Sequence, residues 1–167
     1  GTTLCSNCLP GQFSPSPEVT CEDCGKGKWS SMQAHECEKC PEGWYQNERG
    51  QPSCSPCDRG KYQEKELQTE CKSCPSGWSI DETEATTCKH CENGKTTRGD
   101  NGTTLCSNCV PGQFSPSPEV TCRICSAGQY GDGLGHTECV ECPAGYFQKN
   151  RGQTLCAECE QGRFQPQ

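Results

Sequence analysis

The chain has 167 residues and a formal net charge of −7, from 15 basic and 22 acidic side chains, while Leu, Ile, Val and Phe together number only 16. So few large apolar side chains cannot offset the conformational entropy of an ordinary domain, and with 19 glycines and 12 prolines the composition alone would read as disordered were it not for 20 cysteines. No run approaches the roughly 18 apolar residues of a membrane span, and no basic cluster invites nucleic acid, so neither direct membrane insertion nor nucleic-acid binding is expected.

Every cysteine belongs to a C-x-x-C pair, and the pairs mark ten repeats in chain order: residues 1–20, 21–36, 37–53, 54–70, 71–87, 88–105, 106–121, 122–138, 139–155 and 156–167. The first starts mid-pattern and the last stops before its closing cysteines, so the chain is expected to be an internal piece of a longer array. Three residues after each second cysteine stands a glycine, from Gly11 to Gly162. Two places further on is an aromatic in eight repeats: Phe13, Trp29, Tyr45, Tyr62, Phe114, Tyr130, Phe147 and Phe164. Ser79 and Thr96 depart from the rule, with Trp78 one place early, which leaves the packing of repeats five and six open. A longer period overlies the short one. Residues 2–21 recur at 103–122 with one change, Leu9 to Val110, so that residues 1–66 resemble 102–167 with a period of about 101 residues.

The glycine predicts a turn with positive φ or a close backbone approach. The aromatic, the only sizeable apolar side chain in most repeats, is expected to cover the cross-link and form a miniature core. The segments between are rich in Ser, Thr, Pro and Glu and read as loops or short strands, and only residues 64–70 have helical leanings.

Either disulfides or metal ions must hold such a chain together. The spacing C-x2-C-x12–14-C-x2-C also suits four-cysteine zinc sites, but those alternate a ligand loop with a linker of unrelated length. Here the successive gaps are 12, 12, 13, 13, 13, 14, 12, 13 and 13, with no alternation. His35, His90 and His136 recur at no fixed place and read as exposed polar residues. Redox chemistry needs one reactive pair at a helix start, which ten copies without a βαβ context do not provide. The acidic residues near 81–84 and 131–133 lack a recurring calcium-ligand set. No metal or other cofactor is expected, and no paired carboxylate, nucleophile–base set or phosphate loop marks an enzyme.

With disulfides, two pairings fit the spacing. In an interleaved scheme adjacent motifs exchange both bonds, as in Cys5 with Cys21 and Cys8 with Cys24. In a ladder each second cysteine bonds the next first one: Cys8 with Cys21, Cys24 with Cys37, Cys40 with Cys54, Cys57 with Cys71, Cys74 with Cys88, Cys91 with Cys106, Cys109 with Cys122, Cys125 with Cys139 and Cys142 with Cys156. The ladder places the same loop in every repeat and leaves Cys5 and Cys159 to bond outside the chain.

Runs such as CPEGWYQNERGQPSCSPC and CDRGKYQEKELQTECKSCPSGW resemble the ephrin-receptor-like class of cysteine-rich repeats, and the resemblance extends over the whole chain. It implies the ladder pairing and a structural or interaction module with no catalytic motif. The sequence is also similar in style to long arrays in secreted and surface proteins of algae and other protists, including flagellar hairs (mastigonemes).

Asn101-Gly102-Thr103 is an N-glycosylation sequon in a turn-like stretch. Ser14, Pro15, Ser16 and Pro17, with their copies Ser115, Pro116, Ser117 and Pro118, read as extended spacers, and the algal resemblance makes them candidates for hydroxylation and O-glycosylation. Arg98-Gly99-Asp100 spells an integrin-type tripeptide, read here as a coincidence of three common loop residues. The expected fold is a set of small disulfide-rich repeats in an elongated, rod-like array of short β-hairpins with almost no helix, each repeat contacting mainly its neighbours. The expected role is a secreted or cell-surface structural protein, glycosylated and part of a fibre, flagellar hair or coat, whose partners are copies of itself, other fibre subunits and glycans. The alternatives are a receptor or adhesion stalk that binds a protein ligand, or a protist surface antigen.

Overall fold

The computed structural model describes residues 6–163. None of these is helical, so no helix is long and apolar enough to cross a membrane. Residues 64–70 form bends instead of a helical turn. Leu67 takes φ 63° and its N–H is drawn to the carbonyl of Cys40 at 2.9 Å, which a right-handed helix would not permit.

The regular structure consists of two-residue antiparallel strand pairs in two compact units. The first unit comprises residues up to 73 together with 80–88. In it β1 (Gln12–Phe13) pairs with β2 (Glu22–Asp23), β3 (Lys28–Trp29) with β4 (Glu38–Lys39), β5 (Trp44–Tyr45) with β6 (Ser55–Pro56), and β7 (Lys61–Tyr62) with β8 (Lys72–Ser73). The second comprises residues 74–79 together with those from 89 onward. It pairs β9 (Trp78–Ser79) with β10 (Lys89–His90), β11 (Lys95–Thr96) with β12 (Ser107–Asn108), β13 (Gln113–Phe114) with β14 (Arg123–Ile124), β15 (Gln129–Tyr130) with β16 (Val140–Glu141), and β17 (Tyr146–Phe147) with β18 (Ala157–Glu158).

One rule generates all nine hairpins. The first strand is the two residues after the repeat's glycine, and the second is the two residues inside the next C-x-x-C. Repeats five and six obey it despite lacking the aromatic at its usual place. Trp78 lies opposite His90 in the register and their rings meet edge-on at 4.6 Å. So short a ladder is not stable alone. It persists because the cysteine just before the second strand is bonded to the cysteine that precedes the first, as Cys21 is to Cys8, while the cysteine just after it is bonded forward into the next loop, as Cys24 is to Cys37.

The buried interior corrects one expectation. Among the described residues the hairpin aromatics are only half-buried, with Tyr146 and Phe147 exposed, and Phe164 lies outside those residues. The interior belongs to the second cysteines, with Cys24, Cys40, Cys57, Cys74, Cys109 and Cys125 at 0% exposure, and to the residue just after the aromatic position. Ser30, Gln46, Gln63, Ile80, Thr97 and Ser115 all occupy that position and are all buried. A ring two places after a turn glycine lies on the hairpin's outer face, whereas the next residue turns inward against the cystine.

A repeated loop-on-glycine contact as the candidate functional site

The disulfides set the frame. Within the first unit Cys8 bonds Cys21, Cys24 bonds Cys37, Cys40 bonds Cys54 and Cys57 bonds Cys71. Within the second Cys91 bonds Cys106, Cys109 bonds Cys122, Cys125 bonds Cys139 and Cys142 bonds Cys156. Cys74 and Cys88 are likewise disulfide-bonded. The thiol of Cys159 is free, and Cys5 lies outside the described residues. A cystine sulfur has no thiolate to offer a metal, and among the described residues no three His, Cys, Asp or Glu side chains converge as a ligand set.

Each repeat is bonded to the next by backbone groups at a constant offset. The glycine N–H donates to the residue just after the following repeat's aromatic position: Gly11 to Ser30 O, Gly27 to Gln46 O, Gly43 to Gln63 O and Gly60 to Ile80 O, each at 2.8 Å. In the second unit Gly94 donates to Ser115 O at 3.0 Å and Gly112 to Gly131 O at 2.7 Å. At Gly77 the hydroxyl of the buried Thr97 accepts in place of a carbonyl, at 2.9 Å. The glycine carbonyl in turn accepts from the second cysteine of the next pair, as in Cys24 N to Gly11 O and Cys109 N to Gly94 O.

A second contact reaches one repeat further. Four residues before seven of the loop-closing cysteines the backbone turns left-handed, at Gln33, Gly50, Leu67, Glu84, Gly102, Gly135 and Gly152, while Pro17 and Pro118 hold that place before Cys21 and Cys122. At those seven the N–H donates to the second cysteine of the preceding repeat, as Glu84 does to Cys57 O at 2.9 Å. At Gly50, Leu67, Glu84, Gly135 and Gly152, and at Pro118, the carbonyl presses on the glycine two repeats back. A Cβ added to Gly43 would collide with the carbonyl oxygen of Glu84, and one added to Gly27 would lie 2.5 Å from that of Leu67. The glycine therefore serves as a shelf on which a later loop rests, and only a residue without a side chain leaves room.

The loops are tied from inside. The amide of Gln63 (1% exposed) donates to Glu70 O at 2.8 Å and accepts from Lys65 N–H at 3.3 Å. Gln46 and Gln148 repeat the pattern with Ser53 and Glu48, and with Leu155 and Asn150. In the two copies of the Ser-Pro run, Ser14 Oγ lies 2.7 Å from both Ser16 O and Val19 O, and Ser115 Oγ lies 2.6 and 2.8 Å from Ser117 O and Val120 O. Ser115 is 0% exposed, so its hydroxyl is committed to the fold. Pro15, Pro17 and Pro116 are exposed, Ser16 and Ser117 half-buried, and Pro118 buried. The sequence reading missed these inward amides and hydroxyls. Their signal was the Gln or Ser that follows the aromatic in most repeats.

Asn101 is exposed, while its neighbours are anchored. Gly102 N–H donates to Cys74 O at 2.8 Å and Thr103 Oγ1 to Trp78 O at 3.3 Å. Arg98, Gly99 and Asp100 are exposed in the same loop. His35 is exposed beside Glu36 at 3.6 Å, and His136 Nε2 accepts from Gly133 N–H at 2.9 Å beside Asp132. On the surface, the 2.6 Å hydrogen bond between Lys72 and Glu64 holds the Glu64 carboxyl below its ordinary pKa and raises that of Lys72. Lys95 lowers Glu92 in the same way. These are solvated pairs on hairpin flanks, with no arrangement for proton transfer.

Residues 27–58, 50–91 and 128–167 match the family described as tyrosine-protein kinase ephrin type A/B receptor-like, together more than half of the chain. No curated protein matches the chain.

Proposed function

We propose a structural role for this chain, which belongs to the ephrin type A/B receptor-like family: a glycosylated extracellular building block of a fibre, flagellar hair or surface coat. Its disulfides and its family are those of a non-catalytic extracellular module. The observation that carries the fibre reading is the recurrence of one contact set. Glycine N–H groups bond to the next repeat at a constant offset, and a loop rests on the glycine two repeats back at Gly11, Gly27 and Gly43 and again at Gly77, Gly94 and Gly112. A surface that recurs at a fixed interval suits regular lateral or end-to-end assembly, whereas a single ligand site gains nothing from recurrence. The exposed Asn101 is proposed to carry an N-glycan, and the exposed prolines and half-buried serines of residues 14–17 and 116–117 are the accessible places for further modification.

Electron microscopy of native material tests this reading. Repeating fibres or a regular coat are expected, and material that is solely dispersed and monomeric would sink it. Enzymatic deglycosylation should convert Asn101 to Asp with the matching mass change, and an unmodified Asn101 in native protein would remove the glycan assignment. A second reading, a receptor or adhesion stalk, is favoured by the family's description as receptor-like. Saturable capture of one soluble protein ligand by the native protein, without fibres, would support it over the first.

A further inference from the structure

Among the described residues four that are not glycine take a left-handed φ. Gln33, Leu67 and Glu84 each stand four residues before a loop-closing cysteine and donate to an earlier repeat, but Arg98 does not. Its loop has 14 residues between Cys91 and Cys106, one more than any other. The added length is taken up by a tight turn. Asp100 N–H donates to Thr97 O at 3.0 Å, with φ 59° at Arg98 and 87° at Gly99, as in a type I′ turn. Asn, Asp or Gly holds that first central place with least strain, so an arginine there asks for another reason. Arg98 lines an open cleft of about 360 Å³ with Asn108, Val110, Gln113 and Thr121, and is its only charged side chain. None of the four polar side chains has a hydrogen-bond or ion-pair partner among the described residues. Gln113 shows why. Its duplicate Gln12 donates to Asp23 Oδ1 at 3.0 Å across the hairpin, whereas Ile124 stands opposite Gln113. The shelves at Gly77, Gly94 and Gly112 are all occupied, so no displaced loop belongs in the cleft.

We propose that this cleft binds an acidic sugar, with the Arg98 guanidinium on its carboxylate or sulfate and the Asn108, Gln113 and Thr121 side chains on its ring hydroxyls. The planar fork of a guanidinium matches either acid group with two parallel hydrogen bonds. Two amides and a hydroxyl suit a ligand rich in hydroxyls, and Val110, 46% exposed, offers an apolar patch to the C–H face of a ring. The volume lies at the small end of the range for ligand clefts, about 300–1,000 Å³. A polyanion such as nucleic acid would need a row of cations, which the cleft lacks. The turn fixes the arginine backbone before the ligand arrives, so less ordering is required on binding. The site goes beyond the structural role proposed above and does not depend on it, since a fibre subunit and a receptor stalk would carry the cleft alike.

NMR titration of the disulfide-intact full chain tests the proposal, reading the side-chain amides of Asn108 and Gln113 and the Arg98 Nε–H. Glucuronate and glucose 6-sulfate are the probes, with glucose and acetate as controls. Saturable shifts at these groups are expected with at least one acidic sugar, and the tighter of the two identifies the acid group. Glucose lacks the acid and acetate lacks the hydroxyls, so each should bind roughly 10-fold or more weakly. Arg98→Asn keeps the turn, which asparagine favours. It should weaken binding by roughly 10- to 100-fold while slowing hydrogen exchange at residues 98–100. Gln113→Leu should weaken binding by roughly 3- to 10-fold, and Asp100→Asn should leave it unchanged. Absence of saturable shifts with both acidic sugars overturns the proposal. So does acetate binding as tightly as glucuronate, which would leave only a bare charge. An equal loss in Asp100→Asn and Arg98→Asn also overturns it, because the exposed tripeptide Arg98-Gly99-Asp100, and not the cleft, would then be what is recognised.

Discussion

A glycine at position 43 answers two requirements that can be separated by substitution. Its φ of 79° is open to glycine at little cost, and the carbonyl of Glu84 occupies the space a Cβ would need. Gly145 has the same left-handed conformation, φ 86°, and open space. Gly145→Ala should therefore lose only the conformational preference, about 1–2 kcal/mol, whereas Gly43→Ala adds a backbone clash worth a further 1–3 kcal/mol or so. Equal costs, read from local hydrogen-exchange stability, would contradict the shelf. Glu84 presents the opposite case, an exposed non-glycine residue at φ 61°. Glu84→Gly should be neutral or stabilising by up to about 1 kcal/mol, as relief of the left-handed strain outweighs the entropy glycine adds to the unfolded chain. Gln63→Ala should cost about 1–3 kcal/mol, because the Glu70 carbonyl and the Lys65 N–H lose their partner. The isosteric Gln63→Leu should not restore it. The recurring glycine was legible from spacing alone. The second left-handed position was not, because Gln33, Leu67 and Glu84 stand there beside four glycines, and what imposes the conformation is a carbonyl packed on a distant repeat.

At the scale of the hairpin, two-residue strands supply too few hydrogen bonds to persist, so the cross-link that closes each loop sets the stability of the element. Removing one rung, with Cys57→Ser and Cys71→Ser together, should cost about 3 kcal/mol on the chain-entropy account. The loss should be local: faster exchange across residues 58–70, with the hairpin of β1 and β2 unaffected. Collapse of every hairpin at once would contradict a stepwise array. The surface pair on β8 adds little. Glu64 is lowered, so its contribution is complete above the ordinary carboxylate range and is lost as pH falls through its depressed value. Lys72 is raised, so its share is complete below the ordinary lysine value and is lost as pH rises through the elevated one. Both strand positions follow from the C-x-x-C and glycine spacing, which is why the hairpins of repeats five and six form without the usual aromatic. The aromatic does not mark the interior, because in so small a unit the cystines and the inward-facing Gln, Ser and Thr fill it.

For the molecule as a whole, the cut between the two units passes through repeat five for a physical reason. Its hairpin strand, β9, pairs forward with residues 89–90, while its loop packs backward, with Gly60 donating to Ile80 O and Glu84 to Cys57 O. Forward strand pairing and backward loop packing recur throughout, so any boundary must divide a repeat. Period, copy number and family were readable in the cysteine positions. The reach of two repeats was not, since it depends on the depth of each loop, which spacing does not encode. All of this rests on the second cysteine of each pair bonding the first of the next. Proteolysis of the unreduced protein followed by peptide mass analysis measures that pairing directly. Linked peptides joining Cys24 to Cys37 and Cys109 to Cys122 are expected, with none joining two first cysteines. A peptide linking Cys21 to Cys37, or Cys24 to Cys40, would contradict it.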